Sequence, residues 1–354
     1  NERSELVHAT INALLRQTIL PDIIHVVDDG SVVPLETFDD PLVHWHRQEN
    51  AGKREAQALA LKLHDPAEFD YVFTVDSDSV LDDDALEHML RAMKDDRVMA
   101  ATGMIYVRNW KKNFLTRLTD INVVVSCLMF RMLRSWMGIV SPTSGALAIY
   151  RSHIVYDNLD DYLTSGTAGD DRRLSFYALL EGQVVGVTEA VVETELPDKW
   201  GACFRQRMRW SKSAWLGTGF VLTNLRPLIV LFYVFPLAFT LLWPFIVAVL
   251  VTIAIKYHNF VLINGFLFWE AIAVTMTAIY CIYRPGMSRK EKWKQWSLSP
   301  VYQILGLVIL RPAAYWALTK LRDTSWHTRE VTVHASASPA QAVPAADILR
   351  EQTP

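Results

Sequence analysis

Cysteine is scarce in this chain of 354 residues: Cys127, Cys203 and Cys281 are odd in number and far apart. Such a set excludes a disulfide framework and has no zinc-ligand spacing, which fits reduced thiols on the cytoplasmic side of a cell. Net charge is equally slight, at −3 with a pI near 6.4, so there is no basic footprint and a nucleic-acid partner is not expected. An initiator Met and a signal peptide are missing as well, because Asn1-Glu2 runs directly into a helical pattern over residues 4–16. An α/β domain normally places a strand before such a helix, so one core strand and any upstream membrane helices are expected to lie outside this chain.

What is abundant is apolar surface. Hydrophobic residues make up 51% and the mean hydropathy is +0.13, too apolar for an ordinary soluble enzyme, while 21% charged residues exclude a purely intramembrane protein. Up to about residue 199 the apolar runs alternate between strand and helix patterns. Strands are expected at 23–27, 43–46, 71–75, 98–107, 146–150 and 184–192, with helices at 53–64 and 82–94, which gives an α/β fold. Residues 114–140 are apolar but interrupted by Arg117, Asp120, Arg131 and Arg134, an amphipathic pattern that fits either the membrane surface or a core helix. Residues 200–216 repeat that style and are assigned to the membrane surface.

Two runs, about 227–255 and 260–283, exceed the roughly 20 apolar residues that a bilayer requires and are predicted to span it. Basic residues flank them at 205–212 and 284–294 and belong on the cytoplasmic side. A third stretch, about 298–318, contains Arg311-Pro312 and is expected to bend, re-enter or line a polar path within a membrane region spanning 227–320. Residues 321–330 follow as a short segment, and the tail, 331–354, is expected to be disordered.

Chemistry is concentrated in short motifs. Asp76-Ser77-Asp78 ends an apolar run, a position where doubly wound sheets bind ligands, and two carboxylates there suit a divalent ion holding a diphosphate. A calcium loop would use Asp76, Asp78 and Glu87 at its first, third and twelfth positions. It is excluded by Val80, where an oxygen ligand is needed, and by Leu81, where the turn needs Gly. Asp28-Asp29-Gly30-Ser31 also follows an apolar strand, and Gly52-Lys53-Arg54 opens a helix whose N-terminus and Lys53 could hold phosphate. Gly169-Asp170-Asp171-Arg172 precedes another helix. Singly, these are a turn, a solvated helix start and helix-dipole partners; their order along the chain carries the meaning.

That order, with Ser144-Gly145 and Gln206-x-x-Arg209-Trp210 before the apolar spans, resembles the processive, membrane-embedded family-two glycosyltransferases. The stretches NAGKREAQ, TVDSDS, AATGMIYVRN, FLTRLTDI, SGALAIYR, GDDRRL, RMRWSKS and SWHTR are most similar to those of hyaluronan synthases. The resemblance covers nearly the whole chain up to Arg329. It implies a Rossmann-like GT-A domain facing the cytoplasm (1–199), an interfacial helix (200–216), a multi-pass region in the cell membrane, a channel for the growing polysaccharide, and contact with membrane lipid. It also implies roles: Asp28 and Asp29 for the uridine end of a UDP-sugar donor, Lys53 near the diphosphate, and Asp76 and Asp78 for Mg²⁺ or Mn²⁺, with Asp78 the direct ligand. Asp171 matches the catalytic base, with Asp170, Ser144 and Gly145 beside the acceptor. Gln206, Arg209 and Trp210 would close over diphosphate and acceptor sugar, and Trp326, Thr328 and Arg329 look like a gating segment.

A sugar hydroxyl is a poor nucleophile, so a carboxylate such as Asp171 would take its proton as it attacks the anomeric carbon and inverts it. Charge developing on UDP would be met by metal, Lys53 and Arg209. The donors stay open: UDP-GlcNAc with UDP-GlcA, as in hyaluronan synthesis, or UDP-GlcNAc alone, as in chitin-oligosaccharide synthases, or those of another extracellular polysaccharide. A silent membrane scaffold has no need for this set of charged residues in this order.

Overall fold

The computed structural model describes residues 4–165, 169–257 and 260–322; the expected gating residues Trp326, Thr328 and Arg329 and the tail 331–354 lie outside them. In chain order the elements are α1 (Ser4–Leu15), β1 (Ile24–Asp29), β2 (Val43–Gln48), α2 (Lys53–Leu61), β3 (Tyr71–Thr74), β4 (Ser79–Leu81), α3 (Ala85–Ala92) and β5 (Val98–Val107). Then come α4 (Phe114–Val125), a π-helical turn (Ser126–Arg131), α5 (Met132–Trp136), β6 (Ala148–Arg151), α6 (Ser152–Tyr156), α7 (Leu159–Thr164), α8 (Asp170–Glu181) and β7 (Gln183–Thr194). The C-terminal part is helical: α9 (Trp200–Asn224), α10 (Pro227–Tyr257), α11 (Val261–Tyr283), α12 (Arg289–Trp296), α13 (Ser299–Leu305), a second π-helical turn (Gly306–Leu310) and α14 (Arg311–Thr319).

The strands form two sheets. β1 and β2 pair in parallel, and a separate five-stranded sheet runs β3-β6-β5-β7-β4. It is mixed, with β5 and β7 parallel and the remaining pairs antiparallel. Side chains of β6 alternate between two cores. Leu147 and Ile149 point to the face covered by Ile11 of α1 and Leu86 and Met89 of α3, whereas Ala148 and Tyr150 point to the face covered by Phe176, Tyr177 and Leu179 of α8 and Val221 of α9. Both faces are therefore buried, as the near-continuous apolar runs of these strands require.

β3 and β4 are the two edges of this sheet, about 19 Å apart if it were flat, at about 4.8 Å per strand. Thr74 and Ser79 are joined by only four residues, Val75 to Asp78, which reach about 17 Å at most. The sheet curls to close that gap. Register shifts between Val98 and Ala100 and between Gly103 and Met104 bend β5 against β7, and Gly103 allows the bend because a Cβ there would stand 2.5 Å from the Ala190 carbonyl oxygen. The curl brings the Asp76-Ser77-Asp78 turn across the top of the sheet.

α10, α11 and the continuous stretch Ser299–Thr319 are each long and apolar enough to cross a membrane. The third was expected to bend, re-enter or line a polar path; its helical hydrogen bonding continues through a π-helical turn and Arg311-Pro312, and Gln303 and Arg311 line a cavity. α9 continues to Asn224, past the expected end at 216, and joins α10 through a core of Val221, Leu225, Ile229 and Tyr233. The amphipathic segment 114–140 divides in two. α4 is a core helix, with Leu115, Leu118, Ile121 and Val124 buried against the domain and the C-terminal helices, while Phe130, Leu133 and Trp136 beyond it are exposed.

Candidate active site

Asp76 and Asp78 sit on the turn between β3 and β4, closed by the Ser79 amide donating to the Asp76 carbonyl at 3.0 Å. Strand alternation therefore does not align them, as it would had β3 continued; the turn does. Asp78 is buried and accepts a 3.0 Å hydrogen bond from Thr194 at the end of β7. Asp76 accepts from Lys53 Nζ at 2.7 Å, and Gly145 stands against its carboxylate so closely that a Cβ would lie 2.8 and 2.9 Å from the two oxygens. Only glycine permits that approach.

Lys53 bridges two acidic motifs, because its Nζ also lies 2.8 Å from Asp170 Oδ2. Burial by itself would lower the Lys53 pKa, but the charges of Asp170 and Asp76 outweigh it and hold the ammonium well above its ordinary range. Asp170 is buried yet stays ionised, its pKa lowered by Lys53 against the desolvation that would raise it. Asp171 lies one residue on and behaves oppositely. Burial, then the neighbouring negative charge of Asp170, push its carboxyl up to about 6. One carboxylate is thus fixed by an ion pair while its neighbour is left basic near neutral pH, the division of labour that acid–base chemistry uses.

The loop that carries this pair is tied to three elements. Arg54 donates from Nη1 to the Tyr162 carbonyl at 2.6 Å and to Ser165 Oγ at 2.8 Å, with its guanidinium carbon 4.7 Å from the Tyr162 ring centroid. Thr143 Oγ1 donates to the Asp171 carbonyl at 3.0 Å. Gly169 has φ +105°, and a Cβ there would meet Ser213 Oγ of α9 at 2.1 Å; Arg172 Nε donates to that same Oγ at 3.0 Å. The Gly-Asp-Asp motif and the Gln-x-x-Arg-Trp helix are therefore packed as one unit.

Asp28 and Asp29 are placed at the end of β1, and both are engaged by the protein itself. Asp28 accepts from the Ser31 amide at 2.9 Å and pairs with Arg47 Nη1 at 2.8 Å. Asp29 accepts from Gln48 Nε2, from the Ala51 amide and from the Gly52 amide at 2.7, 2.9 and 2.9 Å. Their visible work is to shape the Asp-Asp-Gly-Ser turn and the entry to α2, which delivers Lys53. Ser144 is fixed by its amide donating to Thr102 Oγ1 at 2.9 Å. On α9, Gln206 has a buried Oε1 without a hydrogen-bond partner and Trp210 is exposed.

Trp210 opens onto a cavity of about 510 Å³ lined by α4, α9, α10, α11 and the Ser299–Thr319 helix, with Arg207, Ser211, Trp269, Tyr302 and Arg311 on its walls. Residues 71–287, from β3 to beyond α11, match the family described as glycosyl transferase family group 2. The chain belongs to that family. It is 32% identical to the hyaluronan synthase of Streptococcus pyogenes serotype M1 over 93% of this chain and 81% of that protein. It is 29% identical to an N-acetylglucosaminyltransferase of Neorhizobium galegae over 95% of this chain and 80% of that one. In fold it is similar to the mannosyltransferase PcManGT from Pyrobaculum calidifontis, solved in complex with GDP-Man and Mn²⁺, with a TM-score of 0.57 and 15% identity over 91% and 84% of the two chains.

This family-two glycosyltransferase uses residues that short motifs do not reveal. Arg47, Arg54, Thr102, Thr143, Thr194 and Ser213 each hold a site residue or its loop, and each acts across a sequence separation that no local pattern records. Arg207 was within the Gln-x-x-Arg-Trp stretch but not among its expected site residues. It is buried, stacks with its guanidinium carbon 4.3 Å from the Trp210 ring centroid, and lines the cavity. The sequence signal was available: three residues before Trp210 on a helix is the same face.

Proposed function

We propose that this glycosyltransferase is an inverting, processive polymerase that takes UDP-GlcNAc and UDP-GlcA, builds hyaluronan, and passes it through its own membrane helices from a cytoplasmic catalytic domain. The carrying observation is the course of α9: Ser213 abuts Gly169 beside the Asp170–Asp171 pair, while Trp210, Ser211 and Ala214 line the cavity that the apolar helices enclose. A sugar added at Asp171 and a polymer held in that cavity would share one helix. The similarity to a hyaluronan synthase supports the polymer assigned.

In this reading Asp171 accepts the acceptor hydroxyl's proton at its carboxylate, and its raised pKa makes it a stronger base than an ordinary Asp while leaving it ionised at pH 7. Lys53, kept charged by Asp76 and Asp170, faces the donor diphosphate, and Arg209 meets its charge from α9. Trp210 stacks on a sugar face. Asp78 and Asp76 are hard oxygen donors suited to Mg²⁺ or Mn²⁺, and the Asp76 carboxylate, though packed by Gly145 and paired with Lys53, keeps 39% of its side chain exposed. Among the described residues no group of three or more His, Cys, Asp and Glu could hold a metal by itself, which fits an ion completed by substrate phosphates. Bound there, such an ion would neutralise charge on the leaving diphosphate.

The test supplies the protein, in lipid nanodiscs with Mg²⁺ or Mn²⁺, with UDP-GlcNAc and UDP-GlcA separately and together. Hyaluronidase-sensitive polymer only with both is the expected result. Polymer from UDP-GlcNAc alone would favour the second reading, an N-acetylglucosamine polymerase, which the Neorhizobium galegae relative supports.

A further inference from the structure

Arg207 carries more polarity than its surroundings use. It is only 6% exposed, and its Nε and Nη2 have no hydrogen-bond partner. Its contacts are the Trp210 ring and the thiol of Cys203, a weak partner for a guanidinium. Burying a cation in this way is costly unless an anion meets it. Burial also pulls the Arg207 pKa down, the mark of a charge short of a counterion.

The cavity beside it has one sign of charge. Its lining residues include Arg207 and Arg311 and no Asp or Glu. Arg311 also stacks on aromatic rings, its guanidinium carbon 4.1 Å from the Trp243 centroid and 5.7 Å from that of Trp269, but unlike Arg207 it has no buried nitrogen without a hydrogen-bond partner. Glu270, the acidic residue of α11, is not among the lining residues. Polymer units crossing Trp210 would thus meet a guanidinium with two unpartnered nitrogens and, among the described residues, no lining carboxylate to repel an anion. A neutral polysaccharide offers Arg207 only uncharged hydroxyl and amide oxygens, whereas a uronic acid carries one carboxylate, the group a guanidinium fork binds best.

We propose that Arg207 binds the carboxylate of the uronate unit seated at Trp210, so that the acceptor position reads whether the unit just added is charged or neutral. This rests on the glycosyltransferase reading above and deepens it. The cavity would accept an alternating anionic polymer in one register, with a uronate at Arg207 whenever the partner sugar stands at Asp171.

The experiment measures oligosaccharide binding by tryptophan fluorescence to the protein in nanodiscs, using a hyaluronan tetrasaccharide and neutral N-acetylchitotetraose. A charge-assisted hydrogen bond is worth roughly a tenfold or greater change in affinity. The wild type should bind the anionic ligand more tightly by about that factor. Arg207→Gln should abolish the preference, and Arg207→Lys, which keeps the charge without the fork, should restore part of it. Equal binding of both ligands by the wild type, or an equal loss of both in Arg207→Gln with no rescue by Arg207→Lys, would overturn the proposal. UDP release from UDP-GlcNAc and UDP-GlcA supplied together is followed in the same preparation: turnover without carboxylate preference removes this inference and leaves the glycosyltransferase reading intact, whereas no turnover with both donors removes that reading and the inference with it.

Discussion

Gly169 shows how a single position ties two motifs together. Its φ of +105° lies where a side chain is strained, and the space a Cβ would need is taken by Ser213 of α9. Gly169→Ala should therefore push α8 from α9, lowering stability by about 1–3 kcal/mol in thermal unfolding and reducing transfer further by displacing Asp171. Unchanged turnover would mean that the contact is not needed. At Asp171 the sign of the pH effect follows from the role of base proposed for it: a base must be ionised, so UDP release should fall as pH drops through about 6. Asp170→Asn removes a neighbouring negative charge that raises the Asp171 pKa, so the acid limb of the rate profile should move to lower pH. A limb that does not move would contradict that cause. Such pairings were legible only in part. Asp-Asp after Gly reads as a site in sequence, but Lys53, 117 residues earlier, is what makes the two carboxyls unequal.

At the scale of elements, β1, β2 and the turn that follows α2 are held by a chain of imidazoles. His64 Nδ1 lies 2.8 Å from Glu68 Oε2, which accepts, so His64 Nε2 accepts from His25 Nε2 at 2.7 Å and His25 Nδ1 accepts from His46 Nε2 at 2.9 Å. His44 faces the same ring, 5.7 Å away between centroids. Burial first, then His46, His64 and His44, lower the His25 pKa to about 4, and burial lowers that of His46. Because the folded pKa lies below the ordinary 6.5, the unfolded chain binds more protons between those values. Stability from this chain is thus present above about pH 6.5 and is lost as pH falls toward 4, a loss that His25→Gln should flatten in pH-dependent melting. The long strands were readable from their apolar runs. β4, three residues long, was not, because so short a segment has no period, and without it the curl that carries Asp76 and Asp78 over the sheet could not be foreseen.

In the whole molecule, the catalytic domain meets the apolar helices through a buried polar network. Asp120 of α4 accepts from the Val107 amide at 3.1 Å, from Tyr280 at 2.5 Å and from Arg284 Nε at 3.2 Å, and Gln295 donates to the same Tyr280 hydroxyl at 3.0 Å. Asp120→Ala would leave Arg284 the Val107 carbonyl at 3.1 Å and the Glu193 carboxylate at 3.6 Å but remove the acceptor of Tyr280 and the Val107 amide, and should cost about 1–3 kcal/mol, read as a lower unfolding temperature in nanodiscs. The sequence presented Asp120 and Arg117 as the polar face of an amphipathic helix. Asp120 is buried and Arg117 half-buried because their partners, Arg284 and Gln295, arrive from beyond the second apolar helix, which no local pattern can announce. The surroundings of the third apolar helix were hidden similarly: Arg311 stacks on Trp243 and Trp269 of two other helices, partners that no local pattern announces.

The central claim is that the cluster of Lys53, Asp76, Asp170 and Asp171 is the centre of sugar transfer, with Asp171 as base. The most direct measurement is UDP release and equilibrium UDP binding for the wild type and Asp171→Asn, in lipid nanodiscs with divalent metal. Turnover should fall by about 10²–10⁴-fold while UDP affinity stays within about twofold. Turnover that survives the substitution, or UDP binding lost along with it, would contradict the assignment.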